Sequence, residues 1–478
     1  MKITSFMHSI YKFLLVTVLG FSSLQLLAQK SVLYNVSPSV SMEINPAHNV
    51  KNRPSYFTLP VLNYQEIRVN AGGLSYDDIF QQSVTSTGTS VVLDYNRLFS
   101  NLSKDNAFNL GVELGILGLG IANGKDYYSF SVKEKIVGQM QYSNDVLGLM
   151  INGVAIETAP NGTMKYRDAS TGSLFMDMMH YREYALGYDR SINDRFSFGV
   201  RLKLLFGMSA ISTNGMRIDV KSTNLDAMEL SAYGKANISA PVSFDVTTDE
   251  NGIPNIKNYN TNLSASYLTE MGNFGVALDL GMEFRPSDKW AVGLSITDLG
   301  SIKYKKNLKQ VYTDSHYRYE GIDVSSSINK DHANYVSFSD AVDELVEHAK
   351  SRVKLHEKAE SFSQTLPLQV YMNGAYTPVK WFEASMMLRH RTFQGYIDNG
   401  LYVGTKFHSR WIDFAAQYAW NSASRSGLGL GLNLKLGVVH LYTAVDNILP
   451  LMGTGYSIHS SYRMGLNFVL DRKKSRVY

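Results

Sequence analysis

A run of alternating leucines limits what this chain can fold into more than any other feature of its sequence. Between Gly427 and Gly437 the residues read GLGLGLNLKLG, so every second residue is leucine and those between are small or polar. Side chains along a β-strand point alternately to its two faces, and this alternation predicts a strand with one apolar face. That face needs an apolar neighbour, which is either the core of a soluble sheet or the hydrocarbon of a membrane.

The same alternation recurs along most of the chain. It is clearest in residues 195–208, 274–285, 290–297, 381–389, 401–407, 412–420 and 463–470. A soluble sandwich or propeller would alternate equally well, but a second face rich in charge and glycine is typical of a barrel lumen. Candidate strands number about 14 to 16, and single-chain bacterial barrels have even strand numbers. We therefore predict an all-β fold, a transmembrane antiparallel β-barrel of about 14 strands over residues 55–470.

The connections between these runs are of two kinds. Tight turns precede Trp290, Trp381 and Trp411, whereas residues 141–179 and 302–362 are long and polar. Short turns at one rim, long loops at the other and interfacial aromatic side chains are features of a membrane barrel. We expect these three tryptophans to belong to an aromatic girdle.

The first 28 residues have the layout of a secretory signal peptide. A basic start leads to an apolar run from Phe13 to Phe21, and Ala28 ends the segment. The run is too short to cross ~30 Å of hydrocarbon as a helix, so we predict cleavage near Ala28. The absence of cysteine excludes disulfides and lipid attachment to a cysteine. No later segment has the ~18 consecutive apolar residues of a membrane helix, so any membrane crossing must use strands.

The sequence contains little that points to chemistry. A formal net charge of +4 does not indicate nucleic acid as a partner. The nucleophile-elbow, zinc-protease and phosphate-loop motifs are absent. His440 shares its predicted lumen face with Tyr442 and Asp446, which leaves open a hydrolase dyad, although a polar network explains the three residues equally simply. We predict no enzymatic activity, no catalytic residues, no cofactor and no metal site.

Three segments have helical periodicity. The longest, residues 339–358, carries acidic residues early and basic residues late, in the order that suits the helix dipole. We predict an inserted amphipathic helix that caps one end of the barrel, with a regulatory or binding helix as the alternative. Shorter stripes cover residues 95–102 and 146–150, and residues 471–478 form a C-terminal tail.

The inward face of the predicted strands carries charges of both signs. Mixed signs favour salt bridges around a plug over an ion-selective ring, with simple solvation of the interior or a substrate track as the other interpretations. The predicted lumen-facing residues are Arg201, Lys203, Asp279, Glu283, Glu383, Arg389, Lys406, Asp413 and Lys435.

Residues 29–54 separate the signal from the first strand and contain the triplet Asn45-Pro46-Ala47. Proline fixes φ and lacks a donor, so this segment can form a rigid unit outside the wall. With the export signal, the Leu59-Pro60 pair and the alternating strands, the layout resembles the FadL-type outer-membrane barrels. It is most similar to an uncharacterised Bacteroidota branch related to the type IX secretion outer-membrane shuttle protein. The resemblance implies that residues 29–54 are a hatch, with Asn45, Pro46 and Ala47 in the barrel mouth.

The resemblance also implies a location and a class of function. We expect a protein of the outer membrane, in contact with its lipid, that passively takes up a hydrophobic or amphiphilic small molecule. The alternative is a docking or shuttle component for exported proteins, and a membrane-embedded lipid enzyme is a third, more distant hypothesis. A continuous apolar cavity would favour uptake, whereas a solid polar lumen below a broad loop platform would favour docking.

Overall fold

A computed structural model describes most of residues 38–470. The residues outside the description are 1–37, 61, 86–87, 94, 103–104, 144–155, 159–163, 167–168, 171–174, 214–216, 223–227, 249–253, 262–270, 320–355, 359, 423–424, 454–456 and 471–478. The predicted signal peptide, the first part of the predicted hatch, the stripe at 146–150 and the predicted tail therefore lie outside the described residues.

Fourteen antiparallel strands close into a barrel, which confirms the predicted fold. The ring closes where β14 and β1 pair, with Ser55 opposite Leu470, and where β1 pairs with β2. The wall strands are β1 (Ser55–Thr58 and Gln65–Ser75), β2 (Asp105–Asn123), β3 (Asp126–Ser143), β4 (Phe175–Ser191), β5 (Phe196–Ser212), β6 (Asn273–Ser287), β7 (Trp290–Tyr304), β8 (Phe362–Thr365 and Leu368–Val379), β9 (Phe382–Phe393), β10 (Tyr396–His408), β11 (Ile412–Asn421), β12 (Arg425–Leu436), β13 (Val439–Val445) and β14 (Ser457–Leu470).

Two of these strands are interrupted. In β1 the break lies between Thr58 and Gln65, yet Leu466 N still donates to Leu62 O at 2.8 Å and Gly115 N to Tyr64 O at 2.6 Å. The two segments of β8 are separated by Leu366 and Pro367, and proline cannot donate to a strand ladder. In β1, the two hydrogen bonds within the break show that residues 59–64 do not interrupt the pairing of this strand with β2 and β14.

The outer face of the wall is apolar. Large hydrophobic side chains stand exposed on strands around the ring, among them Leu202, Met282, Met386 and Leu441. In β12 the leucines at 428–434 are half-buried, whereas Gly431 and Asn433 between them are buried on the inner side. The leucine run therefore faces outward and is part of the apolar outer surface of the wall. Such a surface is expected of a barrel in lipid.

One rim of the barrel is formed by short turns, at residues 124–125, 192–195, 288–289, 380–381, 409–411 and 437–438. We call it the short-turn rim. Trp290, Trp381 and Trp411 are exposed beside it, and the Trp290 ring lies 4.5 Å from that of Tyr376. These aromatic side chains have the placement of an interfacial girdle.

The opposite rim has four long connections, but the β9–β10 and β11–β12 connections are short. The sequence of residues 227–240 alternates like that of a wall strand. In the structure Met228–Ser239 is not one of the fourteen wall strands, because it pairs with the end of β5 that is far from the short-turn rim and extends the sheet beyond it. The strands in the long connections are Phe80–Thr85, Gly88–Leu93, Ile156–Thr158, Met164–Tyr166, Ala169–Ser170, Arg217–Ser222, Met228–Ser239, Val242–Thr248, Pro254–Thr261, Leu308–Tyr319 and His356–Lys358.

The described helices are short. They are α1 (Pro38–Ile44), α2 (Tyr76–Ile79), α3 (Tyr95–Asn101) and α4 (Leu449–Met452), with a 3₁₀ turn at Val50–Asn52. Helix α3 confirms the predicted helix within residues 95–102. The predicted helix over 339–358 is wrong at its end, because His356–Lys358 form a strand paired with residues 310–312, and residues 339–355 lie outside the description. Within the described part of the chain, no helix combines the length and apolarity required to cross a membrane.

Candidate functional site in the barrel lumen

A network of buried ion pairs occupies the lumen beside β3–β7. Lys203 Nζ lies 2.7 Å from Asp279 Oδ1 and 2.6 Å from Asp298 Oδ1. Glu183 Oε2 lies 2.7 Å from Lys135 Nζ and 3.8 Å from Lys203 Nζ. Buried charges are tolerated when they are paired in this way. The network ties five neighbouring strands, β3 to β7, together on the inner side.

The predicted lumen-facing residues fall into two groups. Arg201, Lys203, Asp279, Glu283, Arg389 and Asp413 are buried, whereas Glu383, Lys406 and Lys435 are half-buried. Near the short-turn rim, Lys435 Nζ lies 2.6 Å from Asp413 Oδ1 and His408 Nδ1 lies 2.5 Å from the same oxygen. Farther along β9, Arg389 pairs with Asp398 of β10. The structure thus does not gather all nine residues into one site.

The N-terminal segment from Pro38 to Asn52, which we call the luminal segment, packs against the inside of the wall. Asn45 is fully buried, and its Nδ2 donates to Met282 O at 3.1 Å while its Oδ1 accepts from Ala47 N at 3.0 Å. Ser295 Oγ donates to Ile44 O. The side chain of Asn45 therefore holds its own turn and also fixes that turn to β6.

Glycines of the wall make room for this turn. A Cβ at Gly281 would lie 2.2 Å from Asn45 Oδ1, and one at Gly199 would lie 2.7 Å from Pro46 Cβ. Neither distance is compatible with normal packing. The contact between the Asn45-Pro46-Ala47 turn and β5–β6 thus depends on the absence of side chains at these wall positions.

A carboxylate of β6 anchors the part of the luminal segment that follows. Glu283 Oε2 lies 2.9 Å from His48 Nδ1, and both carboxylate oxygens accept from Asn49 N at 3.2 Å. Arg285 Nε donates to Glu283 Oε1 at 2.9 Å. One predicted lumen-facing acid therefore contacts both the wall and the predicted hatch.

Other contacts reach strands around the ring. Arg53, directly after the luminal segment, pairs with Asp189 of β4 at 2.5 Å. Ser39 accepts from Asn467 of β14 at 3.0 Å, and Glu43 pairs with Lys133 of β3. Because the contacted strands lie on several sides of the ring, the segment crosses the lumen and fills part of it.

A second part of the lumen is apolar. Phe393 at the end of β9 is buried against side chains from the far wall, and its carbonyl accepts from Gln139 Nε2 of β3 at 3.3 Å. Adjacent apolar pairs such as Leu204-Leu205, which break the alternation, are the sequence signal that would have predicted this cluster. We call it the luminal apolar cluster: Val137, Met179, Tyr181, Leu205, Ala210, Ala277, Ile302, Tyr304, Leu366 and Phe393.

The suggested His440 site is not assembled. Tyr442 OH donates to Asn63 O at 2.9 Å, and Asp446 lies 3.6 Å from Arg463 Nη1. His440 lies opposite Lys435 in the strand register, toward the other end of β13. Among the described residues, no group of three or more His, Asp or Glu could hold a metal ion. That the chain is not an enzyme stays a prediction.

A sequence profile of one protein family, described as a family of unknown function (DUF5723), matches residues 46–446. The chain belongs to DUF5723. No curated protein matches this DUF5723 member in sequence. The profile spans the Pro46-Ala47 pair and most of the wall, up to Asp446.

Solved structures of FadL-type barrels are similar to this DUF5723 chain. The Pseudomonas putida toluene transporter TodX is 8% identical, with 90% of this chain and 91% of that chain covered and a TM-score of 0.39. A Pseudomonas aeruginosa FadL homologue is 10% identical, with 90% and 92% covered and a TM-score of 0.38. The expected resemblance to FadL-type barrels is thus found among structures, while the relation to the Bacteroidota branch and the type IX shuttle stays a prediction.

Proposed function

We propose that this protein is a gated outer-membrane barrel for passive uptake of a hydrophobic or amphiphilic small molecule. The observation that carries the proposal is the luminal apolar cluster, which contributes buried hydrophobic side chains from β3–β9 to the inner side of the wall. A barrel that conducts water-soluble compounds has a polar interior. Apolar side chains aimed inward provide a surface that would bind a hydrophobic compound.

The luminal segment is the proposed hatch, with Asn45, Pro46 and Ala47 at its fixed point. Its anchors are hydrogen bonds and ion pairs, as at Met282 and Glu283, which water can replace when the segment moves. Uptake then requires displacement of this segment, because it crosses the lumen. We propose, as part of the same function, that the signal peptide directs export and is cleaved and that the barrel lies in the lipid of the outer membrane.

Uptake of 1-N-phenylnaphthylamine by whole Gram-negative cells tests the proposal, since its fluorescence rises in apolar surroundings. Cells that express the protein should take up the dye several-fold faster than cells with an empty vector. Phe393→Ser should reduce the rate, and Asn45→Ala should increase it by loosening the hatch. Uptake of sucrose is the control for a general leak. Equal dye uptake with and without folded protein would reject the proposal.

A second function is favoured by a different observation. The described lumen is largely filled by ion pairs and the luminal segment, and strands such as Met228–Ser239 and Leu308–Tyr319 form a sheet beyond the wall. Such a platform would suit docking of exported proteins. If dye uptake is unchanged by expression but display of an exported protein at the cell surface depends on Tyr233, an exposed residue of this sheet, docking is the better explanation.

A further inference from the structure

Three ionisable side chains face the outside of the barrel on the paired strands β3 and β4, where they are 13–19% exposed. Arg182 Nε donates to Glu134 Oε2 at 2.8 Å, and His180 Nε2 lies 2.8 Å from Glu134 Oε1. Lys135 and Glu183, next to them in the chain, pair with each other inside the lumen. Alternation along the strands therefore directs Glu134, His180 and Arg182 outward. We call these three residues the outer ion cluster.

The position of this cluster is unusual for the wall. Arg190 and Asp126, which pair at 3.1 Å on the same two strands, lie instead at the strand ends beside the short-turn rim. In the strand register Glu134 lies between Leu114 and Arg182, and Phe206 follows on the next strand. At about 2.5 Å of height per residue, Glu134 lies roughly 20 Å from the short-turn rim, in the outer part of a band ~25 Å tall.

Charges on the lipid-facing side of a wall raise the free energy of the folded barrel, by less toward the edge of the apolar band than at its middle. Pairing between Glu134 and Arg182 reduces this penalty but leaves a polar surface toward acyl chains. The cost falls further when a protein surface covers the cluster. Ionisable groups within a membrane commonly mark functional sites, and a protein contact is one that would shield this cluster from lipid.

We propose that the outer ion cluster is the centre of an interface between two copies of this chain. Copies in one membrane share their depth and orientation, so a two-fold axis along the membrane normal brings equal depths together. Because the acid Glu134 and the base Arg182 are partners in the strand register, Glu134 of one copy then lies near Arg182 of the other, with His180 two residues farther along β4. The surface is self-complementary in charge.

The residues around the cluster suit such a contact. The Tyr184 ring, two residues from Arg182, meets the Phe206 ring edge-on at 5.6 Å, and nearer the short-turn rim on the same outer face Tyr128 and Tyr188 form a ring pair 5.5 Å apart. Tyrosine and arginine are enriched at protein interfaces. Strands β3 and β4 thus carry tyrosine side chains on the same outer face as the ion cluster, whereas the outer face of β12 carries leucines.

Because the chain has no cysteine, single cysteines can locate the contact without background. Leu186, four residues from Arg182 on the outer face of β4, is 55% exposed, and Val403 on β10, across the ring, is 45% exposed. After oxidation with copper phenanthroline in native membranes, Leu186→Cys should give at least about tenfold more disulfide-linked dimer than Val403→Cys. Equal yields, or no dimer from Leu186→Cys, would overturn the proposal.

Charge exchange tests the role of the cluster itself. In the Leu186→Cys background, Arg182→Glu should reduce the dimer at least about fivefold, and adding Glu134→Arg should restore most of it. Heat-dependent gel mobility of each variant establishes that its barrel is folded before yields are compared. An unchanged dimer yield in folded Arg182→Glu would remove the ion cluster from the interface.

Discussion

Replacing Gly281 with alanine tests how the luminal segment is seated. The added Cβ would lie 2.2 Å from Asn45 Oδ1, 2.8 Å from Pro46 Cδ and 3.1 Å from Ala47 N. Asn45 Oδ1 cannot retreat freely, because it accepts the hydrogen bond from Ala47 N that closes the turn. The substitution should therefore displace the turn from β6 while β6 keeps its pairing.

The size of the effect follows from the strain that the added Cβ places on the seated turn. Displacement breaks the hydrogen bonds from Asn45 Nδ2 to Met282 O and from Ala47 N to Asn45 Oδ1 in the wild type and in the variant alike, so these bonds do not contribute to the difference. Overpacking raises the free energy of the seated state by about 1–3 kcal/mol. This strain corresponds to a displaced population that is roughly fivefold to a hundredfold larger.

Hydrogen exchange measured by mass spectrometry on the protein in detergent micelles detects this change. Peptides from residues 38–52 should exchange at least about fivefold faster in Gly281→Ala, while peptides from β5 keep their protection. Gly374→Ala is the matched control, because a Cβ there meets only Ala291 O at 4.0 Å. Unchanged exchange at 38–52, or equal acceleration in both variants, would refute the seating of the turn on Gly281.

Three further predictions concern the barrel itself. Leu432→Arg should lower the free energy of unfolding in lipid vesicles by about 2–4 kcal/mol if Leu432 lies near the bilayer midplane, and an unshifted urea midpoint would contradict a lipid-facing position. Arg463→Ala should cost about 3–5 kcal/mol in the same assay, because Glu66 at 3.1 Å and Asp446 at 3.6 Å lose their buried cation; a loss below about 1 kcal/mol would show that water reaches these acids. Unboiled protein should migrate differently from boiled protein in gels, and identical mobility would argue against a closed barrel.

The wall could be predicted from sequence because lipid imposes one rule on every strand. Period two holds along β5 up to Phe206 and along the even positions of β6, and the structure places those side chains outward. The rule fails at irregularities of the ladder. The register of β7 shifts beside Asp298, which has a φ of 60°, so Leu299 rather than an even-numbered residue is exposed.

The inner face was less predictable because its packing is set by tertiary contacts. A proline-containing triplet indicated that Asn45 lies outside the wall, but nothing in the local sequence pointed to Met282 as its partner. Phe393, the last residue of β9, lies inside the lumen, where its carbonyl accepts a hydrogen bond from Gln139 of β3 on the opposite wall. The two-residue alternation of the sequence does not predict this contact. Charge alternation placed Asp279 inward, whereas its pairing with Lys203 depends on the register between β5 and β6.

The ion pairs of the luminal segment are arranged so that its departure leaves few wall charges alone. Lys133 pairs with Glu43 of the segment but also with Glu113 of β2 at 2.5 Å. Glu283 pairs with His48 of the segment but also with Arg285 of β6 at 2.9 Å, and this second ion pair does not depend on the segment. Removing one partner of an isolated buried pair costs about 3–5 kcal/mol, but a wall charge with a second partner avoids most of that penalty. Movement of the luminal segment would therefore cost less than its number of polar contacts suggests, as the proposed hatch requires if it is to open without unfolding the barrel.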